Sequence, residues 1–295
     1  MFFKVDLHMH SCFSDDGEFA PIELLKMGKE AGLDYMAIAD HNSVKGSRIA
    51  LKHQNEAGIT CIPAIEIDAT HKGVGYHILG YGINVDDPIF DKIEENVVKQ
   101  EKAASEKRCQ LIKELGIMFS DEKIQELCPN GIVTGEAIAE AAMEYDVEKN
   151  NPLLQPYYPG GKRSDNPYVN FYWDYCSQGK PAYVEIHFPS VEEIVETLHK
   201  QKALVIVAHP GMNVQEKEDR LHDLIQMKVD GFEVFSSYHS PEQTKFYYDV
   251  AMRHQLYMTC GSDFHGKTKP SVHIGMCEME ENANHKLVEK LKIML

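Results

Sequence analysis

The chain has 295 residues, of which 43% are hydrophobic and 26% are charged. It is long enough to bury a substantial core, as one large α/β barrel or as about two domains. Its 30 Lys and Arg are outnumbered by 46 Asp and Glu, giving a net charge of −16. That charge argues against a protein that holds long nucleic acids or anionic membranes through many phosphate contacts. An anionic substrate would need bound metal ions or a few local cations.

Cysteine usage and hydropathy predict a cytoplasmic protein. The seven cysteines are scattered and include no Cys-x-x-Cys pair, so neither a disulfide framework nor a zinc knuckle is expected. The first residues show no charged segment followed by an apolar one, and no apolar run approaches about 18 residues. We expect reduced thiols and no association with a membrane.

Short apolar segments of β character alternate with helical segments along most of the chain. Strands are predicted at Lys4–Leu7, Tyr35–Ala39, Ile59–Ile67, His77–Gly82, Leu204–Ala208, Gly231–Phe235 and Tyr257–Thr259. Helices predicted between them include Pro21–Ala31, Val191–Lys200 and Pro241–His254. This alternation is typical of parallel strands joined by right-handed crossovers, and seven strands favour a closed barrel over a doubly wound sheet.

One stretch interrupts the alternation. Predicted helices at Pro88–Leu115, Asp121–Leu127 and Gly135–Tyr145 are followed by an irregular segment rich in Pro, Asn, Gly and Tyr. We interpret residues 85–179 as an inserted helical cap, and residues 1–84 with 180–295 as the barrel. The loop at 150–167 is long enough to be functional rather than a simple connection.

Nearly every predicted strand ends in a histidine, aspartate or glutamate. The residues concerned are His8, His10, Asp40, His41, Glu66, His209, His239, Asp263 and His265, with His77 at the start of its strand. In a parallel barrel the C-terminal ends of all strands open on one face, where such folds place their active sites. These scattered positions are therefore expected to converge.

The converging residues have the spacing of metal ligands. His8 and His10 are two apart on a strand, so their side chains leave the same face, and Asp263 and His265 repeat that spacing. A buried carboxylate such as Glu66 could bridge two cations that accept nitrogen and oxygen ligands. Any one of these histidines alone is more simply a hydrogen-bonded residue at the edge of the core. As a set they predict a multinuclear metal site.

The same motifs resemble a known family. The pattern consists of His8-x-His10, Ser14-Asp15-Asp16-Gly17, Asp40-His41-Asn42, Glu66, His77, His209-Pro210 and Gly261-Ser262-Asp263-Phe264-His265. It resembles the PHP (polymerase and histidinol phosphatase) family of metal-dependent phosphoesterases, especially stand-alone members that act on nucleotide or sugar phosphates. The resemblance implies a distorted, TIM-like (β/α)7 barrel with an inserted helical domain. It also implies two to three divalent ions, commonly manganese, zinc or iron.

The resemblance further implies three groups of ligands. One ion would be held by His8, His10, Glu66 and Asp263, a second by Glu66, His77 and His209, and a third by an acidic residue with His41 and His265. The family pattern is Ser-Asp-Gly, whereas this chain has two consecutive aspartates. The position next to glycine favours Asp16 as the ligand, and the distance from His10 favours Asp15.

Such ions would lower the pKa of a bridging water to give the hydroxide that attacks phosphorus, and would stabilise the charge that develops. Glu66 and Asp263 would then be catalytic as well as ligands. By position at the rim, His239 is the candidate for protonating the leaving group and contacting the substrate. The alternative for His239 is a residue next to a helix start that bonds to the backbone.

Substrate contacts are expected from the cap and from the last motif. Lys162 and Arg163 could clamp a second phosphate, and Lys267, with Lys269, follows the last metal motif. Solvent exposure is the alternative for the two loop residues. The aromatic residues Tyr168, Phe171, Tyr172, Trp173 and Tyr175 could stack a base or form the core of the cap.

The predicted function is hydrolysis of a small phosphorylated metabolite, either a phosphomonoester or a cyclic phosphodiester of a sugar phosphate or nucleotide. The alternative is a nucleoside 3′,5′-bisphosphate phosphatase or a 5′→3′ exonuclease on short oligonucleotides. The resemblance to those enzymes is weaker at Thr134-Gly135-Glu136, where they have a Thr-Arg stretch. An alternative of another class is a catalytically silent metal-binding regulatory domain. The sequence leaves the physiological metal and the oligomeric state open.

Overall fold

The computed structural model describes residues 2–295, a mixed α/β protein. Its strands are β1 (Val5–Met9), β2 (Tyr35–Ile38), β3 (Thr60–Cys61), β4 (Ala64–His71), β5 (Val74–Tyr81), β6 (Leu204–Val207), β7 (Gly231–Ser236) and β8 (Tyr257–Gly261). Its α-helices are α1 (Pro21–Glu30), α2 (Lys45–Ala57), α3 (Pro88–Glu114), α4 (Asp121–Leu127), α5 (Gly135–Tyr145), α6 (Pro167–Phe171), α7 (Val191–Lys200), α8 (Pro210–Asn213), α9 (Glu218–Gln226), α10 (Pro241–His254) and α11 (Glu281–Met294).

The helices that were predicted by range are confirmed to within one residue at each end. Their first residues explain this accuracy. Ser190 and Ser240 cap α7 and α10, each in a capping box with the side chain three residues later, and Pro21 and Pro88 occupy the first position of their helices. None of the helices in residues 2–295 is both long and apolar enough to cross a bilayer.

The α/β class is confirmed, but the single closed barrel of seven parallel strands is not. The strands form a parallel three-stranded sheet, β1-β2-β3, and a five-stranded sheet, β4-β5-β6-β7-β8. In the larger sheet β5 runs antiparallel to β4 and β6, whereas β6, β7 and β8 are parallel. The reversal of β5 places its beginning at the same end of the sheet as the ends of its neighbours. His77, predicted as the first residue of its strand, is the fourth residue of β5, and its carbonyl accepts the N–H of Ala208 just beyond the end of β6.

The predicted strand Ile59–Ile67 is two strands, β3 and β4, and Pro63 stands between them. Proline has no N–H to donate to a ladder, so the strand is interrupted there. Ile62 still donates its N–H to Met36 in the small sheet at 2.8 Å, while the carbonyl of Pro63 accepts from Gly82 beside the large sheet at 2.8 Å. The chain thus leaves one sheet and enters the other within two residues.

Two isolated bridges lie where the sheets meet, one between residues next to predicted metal ligands and the other between two predicted ligands. Met9 is bridged to Phe264, where the N–H of His10 donates to the Phe264 carbonyl at 2.9 Å. His41 is bridged to Glu66. The places where the two sheets meet are therefore the places where the candidate site lies.

The segment assigned to the cap has its own hydrophobic cluster, which includes Ile112, Phe119, Ile138 and Phe171. Its longest helix, α3, also contacts the rest of the molecule, because Phe90 in its first turn is buried in the cluster formed around β4 to β7. The division of the chain at residues 85 and 179 stays a prediction.

Candidate metal centre and substrate cavity

Four buried side chains from β1, β4 and the end of β8 meet at one point. Nε2 of His8 and Nε2 of His10 lie 3.1 and 3.2 Å from Oε2 of Glu66. The same two nitrogens lie 3.4 and 3.0 Å from Oδ1 of Asp263. The four ligand atoms lie within 4.8 Å of one another, which is the spacing that a single cation can fill. The structure therefore brings together the first predicted ligand group.

Glu66 also faces the second predicted group. Its Oε1 lies 3.1 Å from Nδ1 of His77 and 3.3 Å from Nε2 of His209, and its Oε2 lies 3.1 Å from Nδ1 of His41. Glu66 is fully buried, with imidazole nitrogens around both of its oxygens. A carboxylate in this position can bridge two cations.

The third predicted group contains the ambiguity between two aspartates, and the structure separates them. Oδ2 of Asp16 lies 3.2 Å from Nε2 of His265. Asp15 points elsewhere and accepts a hydrogen bond from Asn130 of the cap at 2.9 Å. Burial raises the pKa of Asp15 to about 6, whereas the nearby histidines, led by His265, hold the pKa of Asp16 well below its usual range despite its burial.

Several buried atoms in this cluster make no hydrogen bond of normal geometry within residues 2–295, although polar atoms lie 3.1–3.2 Å from three of them. They are Oε2 of Glu66, Oδ1 of Asp16, Nδ1 of His41 and Nε2 of His265. A buried polar atom without a partner costs about 1–3 kcal/mol, so four in one place require a compensating interaction. Imidazole nitrogens and carboxylate oxygens are the ligands that zinc, iron and manganese accept. The residues present fit divalent ions.

The electrostatics of the cluster also suit cations. Burial, together with the charges of His265 and His41, lowers the pKa of His10 to about 3, so its ring is neutral, the form that binds metals. Burial would raise the pKa of Glu66, but the surrounding histidines hold it well below its usual range. In the absence of metal, protons on histidines balance the carboxylates, and bound ions would replace them.

A second carboxylate, Glu233 of β7, orients two of the predicted ligands. Its Oε1 lies 2.9 Å from Nδ1 of His8, and its Oε2 accepts the backbone N–H of His209 at 2.9 Å. A Cβ on Gly261 would collide with this carboxylate and with His8, so only glycine allows the approach. Sequence reasoning missed Glu233, although a glutamate at the centre of an apolar strand is a signal that could have revealed it.

Two of the predicted ligands have left-handed backbone conformations. The φ angles of His209 and Asp263 are 25° and 56°. Such conformations are unfavourable for residues other than glycine and persist where surrounding contacts fix them. Here the N–H of Asp263 donates to the carbonyl of His8 at 2.7 Å, and Glu233 holds the N–H of His209.

A cavity of about 800 Å³ opens over the cluster. His41, His77 and Asp263 line its floor, and residues of the cap, among them Tyr172 and Trp173, line another part of its wall. The predicted aromatic surface is thus divided. Phe171 is buried against Tyr157 and Tyr175 in the core of the cap, whereas Tyr172 and Trp173 face the cavity.

The structure does not place the predicted phosphate clamp in this cavity. Arg163 pairs with Asp174 of the cap, with Nε and Nη2 lying 3.0 and 3.1 Å from its two carboxylate oxygens. Lys162 is exposed, and neither residue lines the cavity. Lys267 does not line the cavity either, and its Nζ lies 2.7 Å from Oε2 of Glu140. These cations have protein partners or face solvent and are not brought to the cavity, and their role in binding substrate stays a prediction.

His239 does not lie on the cavity wall where a general acid would contact the substrate, and that role stays a prediction. Nδ1 donates to the carbonyl of Val234 at 2.9 Å, and Nε2 accepts the N–H of Gly211 at 3.0 Å. Burial lowers the pKa of this ring.

Two other ionisable residues, Lys269 and Glu136, lie near the metal centre. Lys269 is 4% exposed and pairs with Oδ2 of Asp263, and its Nζ lies 4.8 Å from the centre of the Tyr238 ring. Glu136, in the first turn of α5, is 7% exposed and lines the cavity. Burial and the charge of Asp16 raise the pKa of Glu136 to about 8. At neutral pH this carboxyl is therefore protonated and can donate a hydrogen bond.

Comparison with known proteins agrees with this geometry. Residues 6–148 match the model of the PHP domain, a range that includes His8, His10, His41, Glu66 and His77. The predicted resemblance to PHP-family metal-dependent phosphoesterases is thereby confirmed. His209, Asp263 and His265 lie beyond the matched range, and the structure brings them to the residues within it.

Curated relatives of this chain span nearly its whole length. It is 27% identical to the 5′-3′ exoribonuclease of Haemophilus influenzae, covering 89% of this chain and 90% of the relative. It is 25% identical to the phosphoribosyl 1,2-cyclic phosphate 1,2-diphosphodiesterase of Eggerthella lenta, covering 92% and 97%. It is also 25% identical to the 3′,5′-nucleoside bisphosphate phosphatase of Chromobacterium violaceum, covering 93% and 92%.

Solved structures share the fold. An amidohydrolase from Chromobacterium violaceum superimposes with a TM-score of 0.81 at 22% identity, covering 99% of this chain and 96% of that one. A protein from Bifidobacterium adolescentis gives a TM-score of 0.74 at 24% identity, covering 98% and 96%. The fold of this chain is therefore one that experimentally determined structures also adopt.

Proposed function

We propose that the protein is a metal-dependent phosphoesterase that hydrolyses a small phosphorylated metabolite, either a phosphomonoester or a cyclic phosphodiester. The observation that supports this most directly is the convergence of His8, His10, Glu66 and Asp263 around buried atoms without hydrogen-bond partners. The cavity above the cluster is large enough for a phosphorylated sugar or nucleotide. The curated relatives are named as hydrolases of phosphate esters.

The centre would hold two to three divalent ions, with manganese, zinc and iron all suited to its ligands. Its proposed ligands are the ten predicted positions without Asp15, namely His8, His10, Asp16, His41, Glu66, His77, His209, Asp263 and His265. Asp16 is preferred because its carboxylate lies beside His265, whereas Asp15 is bonded to Asn130. When bound, the ions supply an activated water and neutralise charge on the phosphate.

The protein's own side chains would complete the site. Lys269 holds a fixed positive charge beside Asp263, in a buried position where such a charge stabilises negative charge on a reacting phosphate more strongly than in water. Glu136, in the first turn of α5, is buried and lines the same cavity. The cap covers the centre and limits the access of bulk water.

A nucleoside bisphosphate or a short 5′-phosphorylated oligonucleotide is the second candidate substrate. Tyr172 and Trp173 on the cavity wall favour it, because aromatic rings bind bases by stacking. Two of the relatives are named for such substrates. The net charge of −16 opposes binding of long nucleic acids, which depends on many phosphate contacts.

The test is to follow product formation by manganese-reconstituted protein on four substrates. These are AMP, a nucleoside 3′,5′-bisphosphate, a short 5′-phosphorylated RNA and ribose 1,2-cyclic phosphate 5-phosphate, with metal-free protein as the control. Turnover of the sugar phosphate alone would identify a metabolite phosphoesterase. Preference for the bisphosphate or the RNA would support the second candidate. Metal-loaded protein that is inactive on all four would contradict the proposed function.

A further inference from the structure

Two polar side chains on the cavity wall have no part in the metal centre. Asn213 is the last residue of α8, and Arg220 lies in the first turn of α9. Both line the cavity, on the segment that follows the proposed ligand His209. Neither residue was among the predicted substrate contacts.

The positive charge of Arg220 is not neutralised by a carboxylate within residues 2–295. Its described hydrogen bond runs from Nη1 to the backbone carbonyl of Asn213. Of the acidic residues nearby in sequence, Glu218 and Asp219 are exposed and form no described pair with Arg220, and the other two have partners of their own. Asp223 pairs with Lys72 and His71 at 2.6 and 3.3 Å, and Glu216 accepts from Gln243 at 3.0 Å. Most of the five N–H donors of Arg220 are therefore available to a ligand.

The side chain of Asn213 has a buried donor in the same place. Its Nδ2 is shielded from solvent and has no hydrogen-bond partner in the described chain. Leaving such a donor unpaired costs about 1–3 kcal/mol, which an acceptor atom on a bound ligand would recover. A guanidinium and an amide donor side by side form a site for an anion with several oxygen atoms.

This site lies close to the metal centre. His209 precedes the single turn of α8 and Asn213 ends it, with the N–H of Met212 bonded to the His209 carbonyl at 2.9 Å. His209, whose Nε2 lies 3.3 Å from Glu66, lines the same cavity as Asn213 and Arg220. A small molecule held at the metals can therefore reach Asn213 and Arg220 with a second group.

We infer that Arg220 and Asn213 bind a second phosphate group of the substrate while the metal centre holds the phosphate that is hydrolysed. The inference rests on the proposed function and specifies its substrate as a compound with two phosphate groups. Arginine suits this task because its planar fork binds phosphate oxygens in pairs. The second phosphate is thus bound by the segment after β6 rather than by Lys162 and Arg163 of the cap.

The experiment compares matched substrates that differ by one phosphate. One pair is ribose 1,2-cyclic phosphate with and without a 5-phosphate, and the other is adenosine 3′,5′-bisphosphate against adenosine 3′-monophosphate. We expect the wild-type protein to have a higher kcat/KM for the member of each pair that has two phosphates. Arg220→Gln should lower that kcat/KM about 10- to 100-fold and leave the monophosphorylated partner within about twofold. Asn213→Ala should act in the same direction by about 5-fold.

Lys45→Gln is the matched control, because Lys45 also lines the cavity but pairs with Glu94 at 2.8 Å. It removes the same charge and should change both members of a pair equally. Unchanged turnover of the monophosphorylated substrate shows that each variant is folded. Equal losses on both members in Arg220→Gln, or no wild-type preference for the second phosphate, would overturn this inference alone. Absence of turnover on every substrate would refute the proposed function and the inference with it.

Discussion

The metal centre and the cap both contain many charged residues, but they use them differently. At the centre, Glu66 and Asp16 face imidazoles and keep buried oxygens without a hydrogen-bond partner. In and around the cap, charges are neutralised in pairs, such as Arg163 with Asp174 and Lys267 with Glu140. The carboxylate oxygens at the centre are left for a cation, whereas the charges of the cap pairs already neutralise one another. Residue type alone does not reveal this difference.

The comparison is tested most strongly at Asp263, which belongs to the centre. Asp263→Asn removes a negative ligand but keeps a residue that tolerates the left-handed conformation found there. We expect turnover to fall about 1000-fold. The measurement is steady-state turnover, with the metal content of the purified variant determined by mass spectrometry. Near-normal turnover at full metal content would contradict the assignment of Asp263 as a ligand.

Lys269 and Lys267 allow a comparison between a buried and an exposed lysine two residues apart. Lys269→Gln should reduce turnover about 100-fold, because a buried charge beside Asp263 is lost. Lys267→Gln should leave turnover within about twofold and stability within about 1 kcal/mol, since it breaks an exposed pair. Both variants are assayed with saturating manganese. Equal effects in the two variants would remove the distinction between the two regions.

Glu233 acts through two ligands rather than on the substrate. The Glu233 carboxylate faces two N–H groups, the ring Nδ1–H of His8 and the backbone N–H of His209. In Glu233→Gln the amide oxygen can accept from one of them, whereas the amide NH₂ group, which cannot accept, faces the other. We expect metal affinity to fall about 10- to 100-fold. Titration with manganese, followed by recovery of turnover, measures this. Recovery of full turnover at high manganese would separate a positioning role from a catalytic one.

Glu136 should have the smallest effect on turnover but a clear effect on the pH dependence of stability. Its pKa is raised from an ordinary value of 4.5 to about 8 by burial. The folded state therefore holds a proton that the unfolded state releases, so the contribution to stability is complete below about pH 4.5 and lost as pH rises through 8.

Glu136→Gln removes this titration. In metal-free protein the unfolding free energy of wild type, relative to the variant, should fall by up to about 1.4 kcal/mol per pH unit between pH 5 and 8. Urea unfolding at several pH values measures the difference. Parallel curves for the two proteins would show that Glu136 is ionised in the folded state.

Much of the fold was predictable because its signals are local. Prolines at helix starts and the capping boxes at Ser190 and Ser240 gave helix boundaries to within one residue. The sheet order was harder to predict, since pairing depends on contacts distant in sequence. The break at Pro63 and the reversal of β5 separate the observed sheets from the expected parallel barrel.

The candidate site likewise contains residues that local sequence signals predict and residues that only the folded chain reveals. The polar residues at strand ends were recognisable because strand periodicity determines which face they leave, and the structure brings them together. The substrate contacts were not predictable from the loop sequence. Lys162 and Arg163 are a cationic pair next to two glycines, but only the folded chain shows that Asp174 neutralises Arg163. Glu233 and Arg220 lie in ordinary strand and helix contexts that do not distinguish them.

The hairpin formed by β4 and β5 has a consequence for assembly. Lys72 and Gly73 form a two-residue loop, with φ angles of 50° and 75°, the signature of a type I′ turn. Glu66 and His77 are thus brought together by a short loop, which can form within about 1–10 μs, whereas His8 and Asp263 must be gathered from opposite ends of the chain. A metal ion that binds both pairs of residues therefore stabilises the contact between the two ends of the chain. Hydrogen exchange in β1 and β8 should slow on metal addition more than exchange in the hairpin.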